Sequence, residues 1–185
     1  MSALSRRLLR AELWAGGALV AIIFLLMPVS AIMRKSGHPL IWADELATSL
    51  MVWLAFIGAS AAIAMRRHMT VGLLSETLQG RARRWLLCLC DLLVLIFIAV
   101  MGWLAWQWFD PVGLVRAGGA DALAQASFNF TYSEPTLTLG IRKFWFWLIV
   151  PLTLVTSAIH GFSVLAEDMR GDGPPILPPA AQDMP

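Results

Sequence analysis

Charged side chains are scarce in this chain. Only 14% of its 185 residues are Asp, Glu, Lys or Arg, whereas 58% are hydrophobic. Soluble domains carry about 25% charged residues, and the mean hydropathy here is +0.70. The composition therefore excludes an ordinary soluble domain and indicates a membrane protein.

Residues that perform chemistry are also rare. Cys88 and Cys90 are two positions apart, so on a helix they point to nearly opposite sides and cannot clamp one metal ion. The three histidines are scattered over His38, His68 and His160. No Ser-His-Asp arrangement, P-loop or glycine-rich nucleotide motif is present. We therefore expect no enzyme activity, no metal, no cofactor and no nucleic-acid partner.

Long apolar runs dominate the chain instead. A membrane-spanning helix needs roughly 20 apolar residues to cross about 30 Å of hydrocarbon, and backbone groups in lipid must be satisfied within their own helix. Four runs meet this requirement, at residues 14–33, 43–65, 85–109 and 144–166. These runs predict an all-α membrane protein with one four-helix transmembrane domain over residues 1–170. The absence of an internal repeat argues against a self-sufficient transporter.

Basic residues predict the orientation of these helices. Nine lie on the side of the N-terminus, the second connection and the tail: Arg6, Arg7, Arg10, Arg66, Arg67, Arg81, Arg83, Arg84 and Arg170. Five lie on the opposite side: Arg34, Lys35, Arg116, Arg142 and Lys143. The positive-inside rule therefore predicts that both termini are cytoplasmic. Alternatively, the first run is a signal peptide that is cleaved after Ala31.

The connections between the runs differ in character. In the basic inner loop, Val71, Leu74 and Leu78 recur at i, i+3 and i+7, which predicts a short amphipathic helix on the membrane surface. Residues 110–141 have no clear period and are expected to form an outer loop that packs on the helix ends. The Pro-rich tail, residues 171–185, is expected to be disordered.

Three acidic residues lie in or beside the predicted helices. Asp44 and Glu45 start the second run on the outer side, where negative charge complements a helix N-terminus, and an outer ion site is the alternative. Asp91 lies about two turns inside the third run, where a lone charge costs roughly 2.5 to 3.5 kcal/mol. We expect it to form a structural ion pair, with a coupling-ion site as the alternative. Its candidate partners are Arg84, Arg66 and Arg67.

Small residues crowd the second run. Gly58 and Ala62 are four positions apart, as are Ala55 and Ala59, and such pairs let membrane helices approach closely. We expect this helix to pack against more than one neighbour, inside this chain or in another. A basic motif, Arg66, Arg67 and His68, then marks the inner membrane boundary.

Two stretches resemble a known family. The block DELATSLMVWLAFIGASAAIAMRRHMTVGLL, residues 44–74, is similar to the signature region of the small membrane subunit of TRAP transporters, the DctQ-like family. The later stretch LGIRKFWFWLIVPLTL, residues 139–154, resembles the entry to the fourth helix of that family. The matching positions are Glu45, Trp53, Gly58, Ala59, Arg66, His68, Val71, Trp145 and Pro151.

The resemblance implies a scaffold subunit in the bacterial inner membrane. It implies a sodium-driven system in which a large membrane transporter subunit carries the substrate and sodium sites. A periplasmic solute-binding protein would deliver an organic acid, and membrane lipid would surround both membrane subunits. From the small residues of the second helix, we expect Trp53, Ala55, Gly58, Ala59 and Ala62 to form an interface with other helices or with that partner. The alternatives are a membrane anchor for a redox enzyme complex and a free-standing small channel or exporter.

Overall fold

The chain folds as an all-α protein. The structure, a computed structural model, describes residues 2–65 and 80–170. Across those residues the helices are α1 (Ala3–Lys35), α2 (Ile41–Ala64), α3 (Gly80–Phe109), α4 (Pro111–Ala117), α5 (Ala120–Ser127), α6 (Phe144–Trp147) and α7 (Ile149–Arg170). Four helical stretches in this described part are long and apolar enough to cross a membrane, the last formed by α6 and α7 together. The predicted fold class is confirmed.

The first helix is longer than its apolar run. It begins at Ala3 rather than at residue 14, because the Ser2 side chain caps it by accepting a hydrogen bond from the backbone N–H of Ser5. It continues through Pro28 and ends at Lys35. At 1.5 Å per residue, its 33 residues extend for about 50 Å. The helix is therefore much longer than the hydrocarbon layer is thick.

The long helices pack as a row. Helix α1 packs on α2, α2 packs on α7, and α7 packs on α3, with a lighter contact between α1 and α7. No more than 33% of the most apolar stretch of each span is buried. Large apolar side chains such as Phe24, Phe97 and Trp103 are exposed on the outside of the row. This surface suits contact with lipid or with another membrane protein.

The outer connection is more ordered than its sequence indicated. It contains α4 and α5, which the lack of a clear period did not predict. Asp110 caps α4 by accepting the backbone N–H of Gly113 at 2.8 Å, and Pro111 occupies the first turn. Leu123 of α5 packs with Phe109 and Tyr132. This small core seats the outer connection on the end of α3.

Two predicted features lie outside the described residues. One is the inner loop, with its amphipathic helix and the basic motif Arg66, Arg67 and His68. The other is the Pro-rich tail. Both stay predictions from sequence.

Candidate functional site

The small residues of α2 divide between two faces of the helix. One face is buried against the neighbouring helices and carries Ala43, Ala47, Ile57, Ser60, Ala61 and Ala64. The other face carries Ala55, Gly58 and Ala59, all of which are exposed, while Ala62 is half-buried. Only the first face is used for packing among the described residues. We call the second set, Ala55, Gly58 and Ala59, the open face of α2.

Gly58 lies at the centre of this open face. A side-chain carbon built on Gly58 would meet nothing within 4 Å among the described residues, apart from the backbone of its own helix. Gly161 on α7 is different, because the same carbon there would lie 2.8 Å from Cδ2 of Leu95. A side chain at Gly161 would therefore force Leu95 to move, so glycine favours the close approach of α7 and α3. Packing among the described residues does not explain Gly58 in the same way.

A groove adjoins the open face. It has a volume of about 460 Å³ and lies between α2 and α3, with α7 as its floor. Ala59 and Ile63 line it from α2, and Phe97 and Leu104 line it from α3. The lining is almost entirely apolar, so the groove suits hydrocarbon or apolar side chains rather than a polar solute.

Trp53 contacts this chain's own last span. Its indole Nε1 donates a hydrogen bond of 2.8 Å to the backbone carbonyl of Phe146 in α6. The ring is half-buried, so an apolar body packs while its polar atom is satisfied. Trp53 therefore ties α2 to the entry of the fourth span.

Glu45 holds an outer hairpin, a role that the sequence did not indicate. Its carboxylate accepts the backbone N–H groups of Leu137, Thr138 and Leu139 at 2.8, 2.7 and 3.3 Å. The Thr138 hydroxyl donates a further hydrogen bond of 2.5 Å. Successive N–H groups of this kind form a concavity that suits an anion. The carboxylate thus anchors the loop to the first turns of α2.

The hairpin itself spans residues 134–143. The backbone N–H of Thr136 donates to the carbonyl of Ile141 at 2.7 Å, and Lys143 pairs with Glu134 at 2.6 Å. The side chain of Leu137 is 90% exposed at the tip. An apolar side chain is therefore presented on the outer surface by an ordered loop.

Asp44 forms an ion pair on the same side of the protein as the hairpin. Its carboxylate lies 3.0 Å from a guanidinium nitrogen of Arg34 at the end of α1. Both side chains are mostly exposed, with relative areas of 59% and 64%. Exposed pairs of this kind contribute about 0 to 1 kcal/mol, so this bridge mainly orients the connection between α1 and α2.

Asp91 lies half-buried on α3. Arg84, one of its expected partners, donates its Nε to the backbone carbonyl of Asp168 at 2.9 Å. The other two, Arg66 and Arg67, lie outside the described residues. The structural ion pair of Asp91 stays a prediction.

Five polar side chains, four of them buried and Thr156 half-buried, meet where α1, α2 and α7 pack together. His160 shares hydrogen bonds with Ser5 Oγ at 2.7 Å and with Glu12 Oε2 at 3.2 Å. Ser60 donates to the other oxygen of Glu12 at 2.6 Å and contacts the Thr156 hydroxyl at 2.8 Å. The side chain of His160 is fully buried. We call these five residues the polar cluster.

Sequence reasoning missed the polar cluster. Glu12 precedes the first apolar run and was not singled out, and His160 was noted only as one of three scattered histidines. The available signal was topological. The start of the first span and the end of the fourth lie on the same side of the membrane, which places Glu12 and His160 at similar depths.

The chain is a four-span helical membrane protein, with an open apolar face and an ordered outer connection. Among the described residues, no group of three or more His, Cys, Asp or Glu could hold a metal ion.

Comparison with known proteins then identifies the family. The model of the DctQ component of tripartite ATP-independent periplasmic transporters matches residues 23–171, and the chain belongs to this family. It is thus a multi-pass protein of the bacterial inner membrane. It is also 32% identical, over 88 residues, to the sialic acid TRAP transporter permease protein SiaT of Haemophilus influenzae (strain 86-028NP). That match covers 47% of this chain but only 14% of the relative's length.

Proposed function

We propose that this chain is the small scaffold subunit of a TRAP-type transporter. In this proposal it binds a large membrane subunit and braces it, while substrate and coupling ions bind to that partner. Family membership supports the proposal. The four-span fold also supports it, because the sequence has no internal repeat from which a complete transport path could be built.

The observation that carries the proposal is the open face of α2. In lipid, apolar side chains gain little by leaving the hydrocarbon, and helices associate where small residues let their backbones approach. One small-residue face of α2 already packs on α1 and α7. Ala55, Gly58 and Ala59 form a second such face, which is exposed. A helix of the large subunit would pack there.

The outer side is proposed as the docking side for a periplasmic binding protein. The basic residues predict that the termini are cytoplasmic, which places the hairpin, α4 and α5 in the periplasm. Val115, Phe128 and Leu137 are more than 75% exposed there. Exposed apolar residues on an ordered loop suit contact with another protein.

The finer assignment concerns the coupling ion and the substrate. We propose that a sodium gradient drives import of an organic acid, with both sites on the large subunit. The family is described as ATP-independent, which supports an ion gradient as the driving force. The relative is named as a permease for sialic acid, which is an organic acid.

Purification from membranes tests the assembly. The chain would carry an affinity tag at its C-terminus and be expressed with the large membrane subunit from the same organism. We expect both proteins to elute together in a constant ratio after mild detergent extraction. Recovery of this chain alone, from membranes that contain the large subunit, would contradict the proposal.

A further inference from the structure

Helix α1 buries an unusual set of residues. Its three buried residues are Ser5, Glu12 and Ser30, all of them polar. Many of its large apolar side chains, including Trp14 and Phe24, are exposed, and others, such as Leu19 and Ile23, are only half-buried. This is the reverse of a helix in a soluble protein, where the buried stripe is apolar. Burial of apolar side chains therefore constrains the position of α1 only weakly.

The polar cluster does specify a position. Ser5 and Glu12 are seven residues apart, so they lie on one face of α1 about two turns apart. Glu12 reaches Ser60 on α2 and His160 on α7, while Ser5 reaches the other ring nitrogen of His160. Both oxygens of Glu12 and both nitrogens of His160 are thereby engaged. A shift of α1 by one turn, about 5.4 Å, would break all three contacts.

In a membrane, such a shift changes the free energy of apolar contacts only a little. Lipid solvates the apolar faces of α1 equally well in either position. The lost hydrogen bonds, in contrast, would leave buried polar groups between the helices without partners.

We propose that the polar cluster is a register latch. Glu12 and His160 select one axial position and one rotation of α1 on α2 and α7, before and without any partner subunit. The proposal is independent of the transport function, because it concerns only this chain's own helices.

Cysteine cross-linking in the full chain measures the register. In a Cys88→Ala/Cys90→Ala background, the pair Gly16→Cys/Leu54→Cys reports the native position, since a carbon built on Gly16 lies 3.7 Å from Cδ1 of Leu54. The pair Val20→Cys/Leu54→Cys reports a position shifted by one turn. The ratio of native to shifted cross-linking in membranes is the readout.

Loss of one latch residue should change that ratio. We expect Glu12→Leu and His160→Leu each to lower it by about tenfold, the equilibrium effect of removing one buried hydrogen-bonding partner. Leu13→Ala, which alters an exposed neighbour of Glu12, should leave the ratio unchanged. An unchanged ratio in either single variant would overturn the proposal.

A double variant covers the case in which a single variant does not accumulate. Glu12→Leu/His160→Leu removes both groups together and leaves neither buried without the other, so it should accumulate better than either single variant. It should nevertheless lose the native register to the same extent. If this variant keeps the native cross-linking ratio, apolar packing sets the position of α1 and the latch does not exist.

Discussion

Replacing Gly58 by leucine separates the fold of this chain from its assembly. A side-chain carbon at this position meets nothing within 4 Å among the described residues, apart from its own helix backbone. Glycine inside a helix is also less favourable than other residues by about 1 kcal/mol. The Gly58→Leu chain by itself should therefore insert and fold at least as well as the parent.

The same substitution should weaken binding to the large subunit. If a partner helix lies against the open face of α2, a leucine there must displace it, and overpacking of this kind costs about 1 to 3 kcal/mol. That cost corresponds to a roughly 5- to 150-fold loss in the association constant. Co-purification with the large subunit, at matched expression in membranes, measures the loss.

Gly17→Leu is the matched control. Gly17 also lies inside a spanning helix, and a side-chain carbon there likewise meets nothing within 4 Å. It lies on α1, away from the open face of α2, so Gly17→Leu should affect neither folding nor assembly. If Gly58→Leu inserts and co-purifies as well as Gly17→Leu, the open face of α2 contacts lipid and the proposed interface is wrong.

Four further predictions follow from other parts of the structure. Glu45→Ala removes the carboxylate that holds the outer hairpin. Trypsin added from outside should therefore cleave after Lys143 faster in Glu45→Ala than in Glu45→Gln, because the glutamine side chain keeps one oxygen acceptor. Gly161→Leu should lower the stability of the isolated chain by about 1 to 3 kcal/mol in detergent unfolding, because it collides with a leucine of α3. Burial raises the pKa of Tyr132, the single tyrosine. Its tyrosinate absorbance should therefore appear at a pH above the ordinary tyrosine pKa of about 10. The free energy of unfolding should fall as the pH rises through this range, because the tyrosine of the unfolded chain loses its proton at a lower pH than that of the folded chain. Mass spectrometry should find α1 in the mature chain, because its cleavage would remove two members of the polar cluster.

Hydropathy was sufficient to locate the four spans, because lipid selects for long apolar runs. It was not sufficient to find where they begin. The start of α1 at Ala3 depends on a local cap by Ser2, and caps act whether or not the next residues are apolar. The outer helix α4 could have been found in the same way, since Asp110 followed by Pro111 is a typical helix start.

The candidate site was predictable only in part. The small residues of α2 were visible in the sequence, but their division into a packed and an open face depends on how α2 is rotated against its neighbours. Glu45 was singled out by its position and by the family resemblance, whereas its contact with residues 137–139 joins segments more than 90 positions apart. The pairing of Glu12 with His160 spans 148 positions. Contacts of this range require the helix arrangement, which spacing along the chain does not contain.

Reconstituted uptake tests the central claim most directly. Proteoliposomes would contain this chain alone, the large subunit alone, or both, each with the periplasmic binding protein, an organic acid and an imposed sodium gradient. The account predicts uptake only when both membrane subunits are present. Uptake by liposomes that contain this chain without the large subunit would contradict the scaffold role and make the chain a transporter in its own right.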